Sequence, residues 1–138
     1  MTIQQTQTTS FKKELYQGIH DLSTDHIYIA LYTANASLNQ DTTVYSSTNE
    51  ITGTGYTAGG QQLLSPVISS SGYTAYVSFN NASWSGALTA RCALIYNASK
   101  ANRAIAVLDF GSNKTSTTTF TVAMPADTAD SALIRSSN

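Results

Sequence analysis

Hydrophobic and polar residues alternate along this sequence with two different periods, and the first is helical. From Phe11, apolar residues recur at every fourth position, next at Leu15, which places them on one face of an α-helix. Ser10 is suited to cap the start of this helix and Gly18 to end it, so the pattern predicts a helix over residues 11–18. Such a short helix needs packing against the rest of the protein to persist.

Beyond the helix the apolar positions recur with period two, which is typical of β-strands. Ser, Gly and Asn residues separate these short runs, and no intervening segment suits a βαβ crossover. The loop at 97–103 is predicted to join two neighbouring strands as a hairpin. We therefore expect an all-β fold, an antiparallel sandwich with jelly-roll-like connections and one short N-terminal helix. The predicted strands cover residues 27–32, 73–79, 88–96, 104–110, 117–124 and 131–135.

The length of 138 residues favours one domain, large enough to bury its own core. Residues 1–9 are polar, uncharged and without periodicity, so alone they would form a flexible N-terminal arm. The single β-sandwich domain is expected to occupy residues 10–138. The backbone amides and Gln side chains of the arm are suited to add hydrogen bonds along a neighbouring protein, as an added strand does.

The predicted strand at 27–32 is apolar on both faces. Ile27, Ile29 and Leu31 alternate there with two tyrosines and an alanine. One face is expected to cover the core, and part of the other to meet a neighbouring subunit. This pattern predicts self-association as a dimer or trimer, because closed symmetric oligomers commonly bury such patches.

Gly53, Gly55 and Ala58 form the pattern G-x-G-x-x-A, which in nucleotide-binding proteins marks the turn between a buried strand and a helix. Here polar residues precede the motif, and Pro66 follows it among bulky apolar residues, so neither element is predicted. The acidic residue expected about twenty positions further on is also missing. We therefore interpret the glycines as positions of positive φ in a long loop that packs Tyr56 against the sheet.

The densest cluster of titratable side chains consists of His20, Asp21, Asp25 and His26. Imidazole and carboxylate groups are ligands that metal ions accept. The spacing of the two histidines, however, brings them together neither on one helix turn nor on one strand face. We therefore favour a turn between helix and strand, in which Asp and Ser side chains cap backbone amides, with a metal site as the alternative.

The remaining candidates for chemistry have simpler structural interpretations. Asp109 points out of an apolar run, and Arg91 or Arg103 is placed to pair with it as a structural ion pair. Cys92 lies among Ala and Leu residues, which favours a small buried hydrophobic side chain. Residues 111–116 (GSNKTS) lack the first glycine of a P-loop, so we predict a hairpin turn there. No G-x-S-x-G nucleophile elbow occurs, and we predict no catalytic residues, no metal and no cofactor.

Charge is scarce, at 11% of residues with a net charge of −1. This balance argues against binding to nucleic acid or to an anionic membrane surface. The single cysteine excludes an internal disulfide, and no apolar run approaches the roughly 20 residues of a membrane span. The N-terminal residues lack the features of a signal peptide, so we expect folding in a host cytoplasm. A surface of hydroxyl and amide groups costs less to desolvate than one of charged groups, which suits contact with other proteins.

Four segments of the chain, SFKKELYQGIHDLSTDHIYIALYT, TNEITGTGYTAGGQQL, VSFNNASWSGALTARCALIYN and AIAVLDFG, resemble a family of small virion structural proteins of tailed bacteriophages. The resemblance runs from about Ser10 to Arg135. Its most specific parts are the loop TNEITGTGYTAGG and the segment from Trp84 to Tyr96. It implies a virion structural protein without enzymatic activity, and it supplies no catalytic residues.

Together with the composition, this resemblance implies a capsid cement or decoration protein on the exterior of the virion. Its expected partners are the major capsid protein, which it would bridge and stabilise, and further copies of itself. The eight tyrosines are expected to supply exposed contact area. The alternative is a tail or tail-fibre component that contacts a host surface glycan through Tyr and Asn side chains.

Overall fold

A computed structural model describes residues 3–125, 128 and 131–136 of the chain. Among these residues a single helix, α1, covers Thr9–Tyr16, and the remaining regular structure is β. The strands are β1 (Thr6–Gln7), β2 (Ile27–Tyr32), β3 (Gln61–Gln62), β4 (Val67–Ser71), β5 (Thr74–Ser78), β6 (Ala82–Ser85), β7 (Thr89–Asn97), β8 (Arg103–Thr115), β9 (Thr119–Val122) and β10 (Ile134–Ser136).

These strands pair into three antiparallel sheets. The largest has the order β1-β8-β7-β2-β3, the second the order β10-β5-β4, and the third joins β6 to β9. The predicted hairpin between β7 and β8 is present, with Asn97 opposite Arg103 at its closed end. Side chains from all three sheets and from α1 share one apolar core. The predicted class, an all-β antiparallel sandwich with one short N-terminal helix, is confirmed.

The start of α1 differs from the prediction. Thr8, and not Ser10, caps the helix: its hydroxyl accepts a hydrogen bond from the backbone N–H of Phe11 at 3.2 Å. Thr8 has the extended backbone of a cap residue, with φ −73° and ψ 151°, whereas Ser10 already lies inside the helix. The predicted bounds of 11–18 are therefore two residues late at each end.

The end of α1 follows the predicted chemistry. Gly18 has φ +71°, and its N–H donates to the carbonyl of Leu15, while the N–H of Ile19 donates to that of Glu14, both at 3.1 Å. This pair of bonds is the arrangement in which a glycine in the left-handed conformation ends a helix. The apolar face of the helix then packs through Phe11, which has no exposed surface.

Both faces of β2 are buried, as their apolar character predicts, but the second face is buried within the chain. Ala30 and Tyr32 lie in a second apolar cluster together with Leu38 and Tyr45 of the loop between β2 and β3, and with Ile3. The sequence argument for self-association relied on this face meeting a neighbouring subunit. That premise is wrong, because the chain's own loop covers the face.

The N-terminal segment lies along the edge of β8. Thr6 and Gln7 are opposite Val107 and Ala106, and the N–H of Thr8 donates to the carbonyl of Ile105 at 2.9 Å. Backbone pairing needs no apolar side chains, so the hydrophobic pattern, which predicts a flexible arm over residues 1–9, carries no sign of it. The first two residues of the predicted arm lie outside the described residues.

Candidate functional site

The glycine-rich loop that matches G-x-G-x-x-A lies directly against neighbouring strands. A Cβ atom on Gly55 would lie 1.8 Å from the carbonyl oxygen of Ser85, and one on Gly60 would lie 1.8 Å from that of Ile29. Both glycines have positive φ, at +95° and +80°. The interpretation that these glycines serve the backbone is therefore confirmed, and the element that follows them is the strand β3.

A carboxylate fixes this loop to the sheet. Glu50 accepts hydrogen bonds from the hydroxyl of Tyr45 at 2.6 Å, from the N–H of Gly59 at 2.8 Å, and from the hydroxyl of Tyr56. The Tyr56 oxygen in turn accepts a hydrogen bond from the backbone N–H of Leu31 in β2 at 2.9 Å. Tyr56 thus packs against the sheet as predicted, whereas the sequence offered no sign of the role of Glu50.

Further tyrosines extend this network into an aromatic cluster. The ring of Tyr96 stacks on Tyr45 with centroids 4.7 Å apart, and its hydroxyl donates to the carbonyl of Gly59 at 2.6 Å. Burial, with a contribution from the nearby Glu50 carboxylate, raises the pKa of Tyr96 to about 12. The same causes hold the pKa values of three more tyrosines well above their ordinary range; these are Tyr32, Tyr45 and Tyr56.

The expectation that the tyrosines mainly supply external contact area is therefore wrong for most of them. Only Tyr16, at 94% exposure, and Tyr73, at 87%, are largely open to solvent. The others are buried or partly buried, and the hydroxyl groups of Tyr32, Tyr45, Tyr56 and Tyr96 have partners within the fold that allow the rings to pack inside. No pattern in the sequence separates the two groups.

The histidine and aspartate cluster forms a buried polar network around His20, whose side chain has no exposed surface. The Nδ1 atom of His20 accepts a hydrogen bond from the side-chain amide of Asn97 at 3.0 Å, since an amide nitrogen can only donate. Its Nε2 atom therefore donates to Glu14 Oε1 at 2.8 Å. Arg103 approaches the other oxygen of Glu14 at 3.0 Å. The imidazole thus joins α1 to β7.

Asp25 continues the network on the other side of Asn97. Its Oδ2 atom accepts from the Asn97 amide at 2.8 Å and from the Lys100 ammonium at 2.9 Å. Burial by itself would raise the pKa of this carboxyl group, but the surrounding donors, led by Asn97, outweigh burial and lower the pKa to about 2. Sequence reasoning missed Asn97 and Lys100, which lie more than seventy positions away.

The segment from His20 to His26 is the capped turn that the sequence favours. Asp21 accepts from the N–H of Ser23 at 3.1 Å, and its own N–H donates to Asp25 at 3.0 Å. His26 is exposed, and its backbone N–H donates to the hydroxyl of Ser99 at 2.8 Å. Among the described residues, no three His, Cys, Asp or Glu side chains come together as a metal site would require.

The other candidates of the sequence have defined places in the sheet. Arg91 contacts Asp109 across β7 and β8, as predicted, whereas Arg103 pairs with Glu14 instead. The backbone N–H of Gly111, followed by Arg91, lowers the pKa of Asp109. Cys92 is buried, as predicted, and burial raises the pKa of its thiol to about 11.

The predicted hairpin turn at GSNKTS is wrong. Residues 111–115 continue β8 to Thr115, and the following strand β9 pairs with β6 and not with β8. The prediction failed because a run of Ser, Asn, Lys and Thr has the composition of a turn. Here the partner strand β7, with Thr89 opposite Thr115, holds the run extended.

Most of the large apolar side chains that are exposed among the described residues lie in two surface regions, whereas Val44 lies apart from both in the loop between β2 and β3. One is the hairpin of β4 and β5, with Leu64, Val67, Ile68 and Tyr73. The other surrounds Tyr16 at the end of α1, beside a groove of about 690 Å³.

No helix in the described part of the chain is long and apolar enough to cross a membrane. No protein-family model, no curated protein and no solved structure matches this chain.

Proposed function

We propose that this protein is a structural component of a bacteriophage virion, a cement protein that bridges neighbouring major capsid subunits on the outside of the shell. The resemblance of residues 10–135 to small virion proteins of tailed bacteriophages supports the virion role. The internal use of the candidate groups supports a mechanical role, since His20, Asp25 and Glu50 all bond within the fold.

The single observation that carries this proposal is the distribution of charge. No Asp, Glu, Lys or Arg occurs between Glu50 and Arg91, a span that includes the exposed apolar hairpin of β4 and β5. The side chains that bond or pair within the chain include Glu14, Asp25, Glu50, Arg91, Lys100, Arg103 and Asp109. The surface that remains is mainly hydroxyl, amide and aliphatic, which is inexpensive to desolvate against another protein.

We assign the capsid contact to the N-terminal side of the fold. Tyr16 is the most exposed of the large apolar side chains, and it borders a groove that Gln7, Lys12, Leu15 and Arg135 also line. An exposed aromatic ring beside a groove is the kind of residue that interfaces bury as an anchor. The N-terminal segment reaches the same groove through Thr6.

Binding to DNA-filled particles that lack the protein tests this assignment. Tyr16→Ala should weaken binding about tenfold, as loss of an aromatic anchor does. Tyr73→Ala, which removes the other highly exposed tyrosine, is the matched control and should bind like the wild type. Equal binding of both variants would contradict the Tyr16 contact, and cryo-electron microscopy that finds the protein only on tails would overturn the cement role.

A short deletion tests whether the N-terminal arm contributes to attachment. Removing residues 2–9 would also remove Thr8, the buried cap of α1. A loss of attachment could then not be distinguished from a loss of folding. Deleting residues 2–4 leaves both Thr8 and the β1 pairing in place, but it removes Ile3 from the second apolar cluster, so the unfolding free energy of the isolated variant is measured beside its attachment. We expect lower occupancy and lower heat resistance of the particles. Wild-type values for both would remove the arm from the mechanism.

Attachment should also resist salt. Lys12 and Arg135 are the charged residues at the groove, and the apolar and uncharged polar groups that make up the rest of its lining lose little when salt reduces the Debye length to about 3 Å at about 1 M. We therefore expect wild-type occupancy on particles washed at that ionic strength. Release of the protein by salt would show that charge pairs hold it.

A further inference from the structure

Strand β4, Val67–Ser71, is an edge strand whose outer side has no partner among the described residues. It pairs with β5 on one side and is the terminal member of the three-stranded sheet. An unpaired edge presents a row of free N–H and C=O groups, which is a template for a further strand.

The register of β4 on β5 decides which peptide groups form this edge. Ser71 and Thr74 flank the two-residue turn Gly72–Tyr73 and form the first hydrogen-bonded pair of the hairpin. Because such pairs alternate along an antiparallel ladder, the N–H and C=O groups of Ile68 and Ser70 point away from β5.

The apolar side chain next to these groups is also without a neighbour. Ile68 is opposite Val77, and Val77 is opposite Ile134, so the three lie on one face of the sheet. Val77 and Ile134 are buried in the core, but Ile68 is 53% exposed. Ile68 thus lies on the core face of the sheet at the point where the core ends.

Nothing in the strand blocks a further pairing. Natural edge strands carry charges, prolines or bulges for this purpose, whereas β4 has the sequence VISSS and a regular register. A two-fold interface brings a patch against its own copy, so charges in it would repel each other. The patch lies in the span between Glu50 and Arg91 that contains no charge, and this neutrality suits a second copy of the chain.

We propose that β4 pairs antiparallel with β4 of a second copy, around a two-fold axis at Ser69. Ile68 then exchanges hydrogen bonds with Ser70 of the second copy, and the two Ile68 side chains become diagonal neighbours. A register centred on Ile68 would instead set Ser70 against Pro66, which has no N–H to donate. The two three-stranded sheets become one six-stranded sheet.

The interface is small, and this limits its strength. A five-residue edge with a few apolar side chains buries less than the roughly 1,200–2,000 Å² of stable interfaces. The dimer therefore forms at high concentration, or where copies are held close together on one particle.

Disulfide trapping tests the register. In the proposed dimer the two Ser69 residues form a non-hydrogen-bonded pair with Cα atoms about 4.5 Å apart, within disulfide range. The Ser71 residues lie on the same face of the same strand but about 13 Å apart. Under mild oxidation Ser69→Cys should give a covalent dimer much faster than Ser71→Cys, while buried Cys92 stays unreactive. Equal rates, or faster linkage through position 71, would overturn the proposal.

Sedimentation of the isolated protein tests the pairing itself. The wild type should show a concentration-dependent dimer, and Ile68→Lys should weaken it at least tenfold by placing two ammonium groups side by side. Ser112→Lys, at an exposed position in β8, is the control and should dimerise like the wild type. A monomer at every concentration, or an unchanged dimer in Ile68→Lys, would overturn the proposal. Neither result depends on capsid binding, so the cement role succeeds or fails separately.

Discussion

The Nε2 atom of His20 lies 2.8 Å from Oε1 of Glu14, and the imidazole that makes this contact is fully buried. The contact attaches the turn after α1 to the helix itself, and through Asn97 it attaches both to β7. The ring of Phe11, 4.9 Å away between centroids, packs against the same imidazole. This histidine therefore holds the helix on the sandwich.

Replacing this imidazole should destabilise the fold. His20→Ala leaves a cavity beside Phe11 and removes the hydrogen-bond partner of Glu14 and of Asn97. We expect the free energy of unfolding to fall by about 2–4 kcal/mol in urea titrations. His26→Ala, at the exposed end of the same turn, should stay within about 0.5 kcal/mol of the wild type. Similar losses in both variants would contradict the role of His20.

The close approach of the glycine-rich loop to β6 predicts a steric effect beyond backbone strain. Gly55→Ala places a methyl group 1.8 Å from the Ser85 carbonyl oxygen, so we expect a loss of more than about 2 kcal/mol in unfolding free energy. Gly111→Ala shares the positive φ but has no atom within 4 Å of the new methyl group. It should cost only about 1 kcal/mol. Equal losses would mean that the loop moves away from Ser85 without penalty.

Asp25 makes stability sensitive to acid. Its pKa is about 2 in the folded protein and about 3.9 in an unfolded chain, so its contribution is present above about pH 4 and is lost as the pH falls towards 2. Asp25→Asn should therefore show a smaller drop in melting temperature between those values than the wild type. Asp41→Asn, at an exposed position outside the network, should keep the wild-type drop. An unchanged pH dependence in Asp25→Asn would contradict this assignment.

The network around Glu50 predicts that four tyrosines stay protonated at alkaline pH. Because their pKa values are raised in the folded state, the stability that they contribute is complete below about pH 10 and is lost only as the pH rises further. Ultraviolet titration of the folded protein at about pH 11 should show these four tyrosines still mostly protonated, so it should yield fewer tyrosinates than the unfolded chain. In Glu50→Gln, loss of the negative charge should allow more of them to ionise at that pH. An identical titration curve would argue against the carboxylate as a cause.

The local pattern of the sequence was sufficient for the helix, for the longer strands and for the hairpin of β7 and β8, but it missed the strands β4 and β6. Period-two runs located the longer strands, including the doubly buried β2. The sequence left Arg91 and Arg103 as alternative partners of Asp109, and Arg91 is the partner because it lies on the strand next to that of Asp109. Tyr56 packs on the sheet as expected, since the glycines around it leave the loop free to fold back.

Long-range partners were not predictable in the same way. Whether a tyrosine lies inside, as Tyr96 does, or outside, as Tyr16 does, depends on acceptors that the rest of the chain brings to its hydroxyl group. The run GSNKTS became part of β8 because β7 lies beside it, and the N-terminal segment became β1 because β8 offers it an edge.

The sequence by itself determined the fold class, the position of the helix to within two residues, and the neutral character of the surface, because each depends on composition or on spacing along the chain. Only the tertiary structure decided that the second face of β2 is covered, that His20 meets Asn97 across 77 positions, and that β4 is an edge. These contacts join residues far apart in the chain. Their free energy depends on which backbone groups and side chains the whole fold leaves without a partner.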